Sequence, residues 1–198
     1  MTKTTTMTGL PTWTEALAAG LPPDGLLLIV DARRQQLTLF ERGCRIACYP
    51  VSTAAAGLGC EDGSLKTPVG WHEVLDRIGR GAPLGQVFES RLPTGEIVDL
   101  TRPLDGREGD PILTRILRLR GLEPGKNHGQ GVDSYLRMIY IHGTHREDRL
   151  GTPASCGCIR MANRDVAALF EVIGNRPAWC WIGESGAAPQ DEGAEEAS

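Results

Sequence analysis

Leu26-Leu27-Leu28-Ile29-Val30-Asp31, then Arg33-Arg34-Gln35, then Gln36-Leu37-Thr38-Leu39-Phe40 read as two apolar runs joined by a polar turn, which predicts a β-hairpin. A third strand is predicted over Cys44–Ser52, behind Gly43. Three consecutive strands with short connections favour an antiparallel sheet, so a mainly β chain is expected from this point onward.

Further along, residues 57–64 form a Gly-rich loop, and Thr67-Pro68-Val69-Gly70-Trp71 opens another strand behind a turn signal. Short strands and Gly-Pro turns continue to Gly125, and residues 112–119, which have no clean polar face, are expected as a buried strand. Residues 136–141 are strand-like and deliver His142 to the strand end. The period then changes. Val166, Leu169, Phe170 and Ile173 fall at helical spacing, with Asn163 expected as N-cap and Gly174-Asn175 as the stop. A last strand is expected over residues 179–182.

At 198 residues the length suits one domain. Residues 1–25, Thr-rich and then broken by Pro and Gly, read as an N-terminal appendage with one short helix at Trp13–Ala19. Residues 26–183 form the domain, and residues 184–198, rich in Gly, Ala and acids, are expected to be disordered. A hydrophobic content of 40% with 25 Gly, 13 Pro and only 5% aromatics fits strands and loops better than a helical bundle.

The formal charge is -4, but Glu184, Asp191, Glu192, Glu195 and Glu196 all lie beyond the last base, Arg176; without them 21 bases face 20 acids. A near-neutral domain argues against nucleic-acid binding, which needs a basic face. No run approaches the roughly 20 apolar residues that span a bilayer, so no membrane span is expected. The first eight residues lack the apolar stretch of about 7 to 15 residues that marks a secretory signal, which leaves a cytoplasmic location open.

Ile139-Tyr140-Ile141-His142-Gly143-Thr144 and Ser155-Cys156-Gly157-Cys158-Ile159-Arg160-Met161-Ala162-Asn163 carry the chemistry. They place a His at a strand end and a Cys in a tight loop before a helix. A free thiol of pKa about 8.5 is only a few per cent ionised at neutral pH, so a nucleophilic Cys needs a base or a positive field beside it. His142 is the candidate base. Gly157 lets the backbone close around whatever Cys158 attacks, and N–H groups exposed in such a loop hold a developing oxyanion.

The run from Tyr140 through Asn163 and Asp165, with Val51-Ser52-Thr53, Lys66-Thr67-Pro68-Val69-Gly70 and Thr114-Arg115-Ile116-Leu117 upstream, resembles the L,D-transpeptidase (YkuD-like) family over roughly residues 26–182. The resemblance implies a mainly β fold with α, a mixed β-sheet sandwich whose one main helix follows the cysteine loop. It implies peptidoglycan stem peptides as the partner, no metal and no cofactor, and a periplasmic or cell-envelope location. Cys158 would be the nucleophile, His142 the base, and the Gly143 carbonyl the group fixing the imidazole tautomer. In that reading the Cys attacks the L-to-D bond of a tetrapeptide stem, expels D-alanine, and passes the acyl group from a thioester to an amine. Water in place of the amine gives an L,D-carboxypeptidase or endopeptidase, and lost activity leaves a wall-binding domain.

One position departs from the pattern. The family usually has His between Ser and Gly, where this chain has Cys156, a weaker donor that carries no imidazolium charge. Loss of one such donor elsewhere costs about 3 kcal/mol, so slowed acylation is expected. Cys156 also makes a Cys-x-Cys pair, and a strained, reducible Cys156–Cys158 bond is one reading of it.

Other residues carry two readings each. Arg160 holds a substrate carboxylate, or pairs structurally with Asp165 or a carbonyl. Tyr140 lines the donor pocket or belongs to the core, and Ser155 positions substrate or closes a turn. Arg115, Arg118, Arg120, Lys126 and Arg137 form a basic rim or a solvated sheet face. Cys44, Cys48 and Cys60 look structural, with Cys60 in a loop. Zinc on His142, His145, Cys156 and Cys158 is the alternative to nucleophilic use.

Overall fold

The computed structural model describes residues 9–102 and 109–186. Its strands are β1 (Leu26–Asp31), β2 (Gln36–Glu41), β3 (Cys44–Ser52), β4 (Gly70–Ile78), β5 (Gln86–Glu89), β6 (Leu92–Ile97), β7 (Ile112–Gly121), β8 (Tyr140–Gly143), β9 (Ile159–Met161) and β10 (Ala178–Gly183). Helix α1 (Trp13–Ala19) precedes them and α2 (Asn163–Ile173) lies between β9 and β10.

The expected hairpin forms with Leu28 opposite Leu39 and Val30 opposite Leu37, and β3 continues it antiparallel. All strands join one mixed sheet in the order β4-β10-β1-β2-β3-β9-β8-β7-β5-β6, with parallel pairs at β1–β10 and β8–β9. A further β4–β7 pairing curls this sheet closed, so the two layers expected of a sandwich are opposite walls of one barrel. The β5–β6 hairpin extends from β7 beyond the closed part.

Alternation along the strands explains the core. Leu26, Leu28 and Val30 point inward with Leu37, Leu39, Ile141, Ile159 and Met161, and they meet Val166, Leu169, Phe170 and Ile173 of α2, the residues picked out by helical spacing. Leu27 and Ile29 point the other way, where α1 covers them with Ala16 and Trp13, aided by Leu21, Trp71 and Trp179. That second cover is why β1 reads as an unbroken apolar run. The short α1 is fixed by a capping box in which Glu15 N donates to Thr12 Oγ1 at 3.2 Å and Thr12 N donates to Glu15 Oε2 at 2.6 Å.

Two expectations are corrected. Residues 134–138 are turns rather than strand, and β8 begins only at Tyr140. The Asp133 carboxylate accepts from Tyr135 N and Leu136 N at 2.9 and 3.0 Å, and Met138 takes a φ of 57°, so local side-chain bonding defeats the apolar pattern. Asn163 is the first residue of α2, not its cap. The cap position is Ala162, and the Asn163 N–H is satisfied by Glu147 Oε1 at 2.8 Å, a carboxylate placed where the helix dipole favours it. At the C-terminal end, Ser185 is buried and its N–H donates to Asp31 Oδ1 at 3.2 Å; residues 187–198, most of the expected disordered tail, lie outside the described residues, as do residues 1–8 of the appendage.

Candidate active site

The parallel β8–β9 pair sets the geometry. Ile141 pairs with Ile159 and His142 with Arg160, and Cys158 immediately precedes β9. Ile141 and Ile159 belong to the inner core, and alternation sends Tyr140, His142 and Arg160 to the other face of the sheet. There Cys158 packs, half-buried, against a cluster of Phe88, Ile116 and Tyr140.

His142 is buried, and its Nδ1 lies 2.9 Å from the Gly143 carbonyl oxygen. A carbonyl only accepts, so Nδ1 carries the proton and Nε2 is left as the basic nitrogen. Burial pulls the imidazole pKa below its ordinary value; the Gly143 bond and the Asp110 charge oppose this, and Arg160 adds to it. Burial also pushes the Cys158 thiol up to about 11, against the Tyr140 backbone N–H and the Arg160 charge, which favour the thiolate. The Cys158 Sγ–H points at the Met138 carbonyl at 3.5 Å. Burial thus favours the neutral form of each group.

The cysteine loop is tied at several points. Ser155 is buried, and its hydroxyl donates to the Cys158 carbonyl at 2.6 Å while accepting from Gly157 N at 3.2 Å. Thr67 Oγ1 donates to the Gly157 carbonyl at 2.9 Å and accepts from Ala54 N at 2.9 Å, which links the loop to the strand signal at Thr67-Pro68. Gly157 has a φ of 132°, a conformation that suits glycine. Ser155 is thus a loop-building residue, and the Gly157 N–H is already engaged.

Behind His142, a buried polar group holds β8. Gly143 is so close to Asn163 Oδ1 that an added Cβ would lie 2.5 Å from it. Asn163 Nδ2 donates to the Thr144 carbonyl at 2.7 Å, and Thr114 Oγ1 donates to Asn163 Oδ1 at 2.5 Å. Thr114 sits in the β7 register shift opposite β8 with a φ of 69°, a strained setting for a β-branched residue. Its hydroxyl also accepts from Gly85 N at 2.9 Å, which helps to hold that conformation.

Arg160 pairs with Asp110, not Asp165: its Nε lies 2.5 Å from Asp110 Oδ2, and its Nη1 donates to the Ala154 carbonyl at 3.1 Å. Asp110 also accepts from Thr144 Oγ1 at 2.8 and 2.9 Å and lies 2.9 Å from His145 Nδ1. Asp110 has no signal in the sequence beyond its place before Pro111. Cys156 is exposed, and with Arg160, Asp110, Asp99, Arg146 and Asp148 it lines a cleft of about 850 Å³ that does not itself reach Cys158. All six cysteines are free thiols. Cys44 and Cys48 are exposed on β3, while the loop residue Cys60 is buried, its sulfur receiving Val69 N at 3.4 Å.

The basic rim does not exist as such. Arg115 and Arg118 are buried and donate to carbonyls of Ala82 and Tyr135, each at 2.7 Å. Arg137 clamps the carbonyls of Cys60 and Lys66 at 2.9 and 2.7 Å, while Arg120 and Lys126 pair with Glu73 and Glu123. Among the described residues no three His, Cys, Asp or Glu side chains converge as a metal site, so His142, His145, Cys156 and Cys158 are not gathered as the zinc reading requires.

The family model for the L,D-transpeptidase catalytic domain (YkuD) matches residues 26–182, and the chain belongs to this family. None of the curated proteins compared with it matches. Among solved structures, an L,D-transpeptidase from Xylanimonas cellulosilytica is similar at 18% identity and a TM-score of 0.50, over 86% of this chain and 68% of that one. L,D-transpeptidase 3 from Mycobacterium tuberculosis is similar at 15% identity and a TM-score of 0.48, over 80% and 61%. The chain spans about three-fifths of the length of the mycobacterial structures it matches.

Proposed function

We propose that the protein is a peptidoglycan L,D-transpeptidase that works through a thioester on Cys158, with His142 as the base, in the cell envelope. What supports this reading is that Cys158 packs against Tyr140 on the side of β8 that also bears His142, with Nδ1 of His142 tied to Gly143 and Nε2 left to take a proton.

In this mechanism the donor is a tetrapeptide stem. As Sγ bonds to the carbonyl carbon of the L-to-D peptide bond, its proton passes to His142 Nε2, since burial favours the neutral form of each group. The tetrahedral oxyanion is met by backbone N–H groups of the cysteine loop. Since Gly157 N is held by Ser155, the Cys158 N–H is the better candidate for that role. The imidazolium returns its proton to the departing D-alanine nitrogen, leaving a thioester. An acceptor amine then attacks the thioester carbonyl, His142 takes the amine proton, and the thiol is restored. Water in place of the amine makes the same site a carboxypeptidase; access past residues 121–132 governs that choice.

The test is incubation with a tetrapeptide stem, reading D-alanine release and products. Wild type should release D-alanine and Cys158→Ala should not, with dimers marking transfer and tripeptides marking hydrolysis. Release that persists in Cys158→Ala assigns the wrong nucleophile.

A further inference from the structure

We propose that Arg91, at the tip of the β5–β6 hairpin, binds the terminal carboxylate of the donor peptide, a role that Arg160 is not free to take. The inference rests on the acyl-transfer reading above and assigns its substrate contact.

Arg160 is mostly buried and occupied by Asp110 and the Ala154 carbonyl, so an incoming carboxylate would have to break a buried ion pair to reach it. Arg118 and Arg137, the other guanidiniums around the 134–138 turn, are spent on carbonyls and, for Arg118, on Asp76 at 3.5 Å. Arg91 differs. Its Nη1 donates only to uncharged acceptors, the Tyr140 hydroxyl at 3.3 Å and the Met138 sulfur at 3.7 Å. Among the described residues it forms no ion pair, and Asp76, whose charge it feels, is held by Arg118 and by the Tyr135 hydroxyl at 3.0 Å.

The two residues that Arg91 touches are the two that flank the thiol. The Met138 carbonyl is 3.5 Å from Cys158 Sγ, and Tyr140 lies in the cluster against which Cys158 packs. A donor stem ends one residue beyond the attacked carbonyl, which puts its carboxylate within about 4 Å of the reacting carbon. A guanidinium that forms no ion pair among the described residues is therefore next to the place where that anion must lie.

The hairpin fixes the direction of the side chain. Glu89 pairs with Leu92, so Ser90 and Arg91 form a two-residue turn, with φ of 48° and 72°. Asn-Gly is the usual occupant of such a turn, and an Arg there is held at a conformational cost.

The test measures binding by calorimetry in the Cys158→Ala protein, using a tetrapeptide stem with a free C-terminus and the same peptide amidated. The free acid should bind roughly tenfold or more tightly than the amide. Adding Arg91→Leu should bring the acid to the level of the amide while leaving amide binding in place, which also shows that the fold is intact. Arg91→Lys, keeping the charge without the fork, should fall between. Equal binding of acid and amide in Cys158→Ala, or the same preference with and without Arg91, overturns the assignment. If Arg91-dependent binding is found but wild type releases no D-alanine, the contact stands and the acyl-transfer reading fails.

Discussion

His142 Nδ1 and the Gly143 carbonyl oxygen lie 2.9 Å apart on adjacent residues of one short strand, so the tautomer of the candidate base is set by its own chain neighbour. Gly143 in turn is fixed by the close approach of Asn163, whose side chain joins Thr114 of β7 to Thr144 just after β8.

This arrangement predicts an unusual pH profile. Activity needs neutral His142, whose pKa is lowered by burial, so kcat/KM should rise along an acid limb lying below the ordinary histidine value of 6.5. The basic limb should lie near 11, where the Cys158 thiol ionises. A narrow bell centred near neutrality would indicate a preformed thiolate–imidazolium pair instead.

Thiol reactivity should follow. A shift from 9.0 to about 11 lowers the thiolate fraction of Cys158 at neutral pH by about a hundredfold. Iodoacetamide at pH 7, followed by peptide mapping, should label the exposed Cys156 well before Cys158. Faster labelling of Cys158 would contradict a neutral resting thiol.

Asp110→Asn should separate structure from catalysis. Breaking the buried pair with Arg160 should cost on the order of 3 kcal/mol in a denaturant titration. The Asp110 charge also holds the His142 pKa up, so the variant's acid limb should move to lower pH, which a purely structural loss would not do.

Acid stability has a separate source in His72, buried between the Gly70 carbonyl and the Ser134 hydroxyl, each at 3.0 Å. Its pKa falls from 6.5 to about 4, mainly because burial penalises the charged ring. Between those values the unfolded chain binds a proton that the folded chain does not, so stability is complete above pH 6.5 and is lost as pH drops toward 4. The loss approaches about 3 kcal/mol. Denaturant titrations of His72→Gln across this window should show a shallower pH dependence, with a remainder from His142, whose pKa is displaced in the same direction.

Much of this was legible in the sequence, because period and motif report local facts. The first hairpin and the face of α2 follow from spacing alone, and the short helix expected at Trp13–Ala19 is present. The motif's two halves, ending in His142 and beginning before Ile159, are brought side by side only through the β8–β9 register. What was not legible depends on distant partners. Asp110 gains its importance from Arg160 and Thr144, far along the chain. Arg115, Arg118 and Arg137 read as surface charge but fold inward and donate hydrogen bonds to carbonyls. Residues 136–138 look like strand because nothing in their pattern shows that Asp133 will cap a turn before them.

The most direct measurement is the intact mass of the protein quenched during turnover of a tetrapeptide stem, followed by mapping of the modified peptide. A mass increase corresponding to the tripeptide acyl group, located on Cys158 and absent in His142→Ala at the same early time, is the predicted result. A turning-over enzyme with no adduct on Cys158, or with the adduct on Cys156, would contradict it.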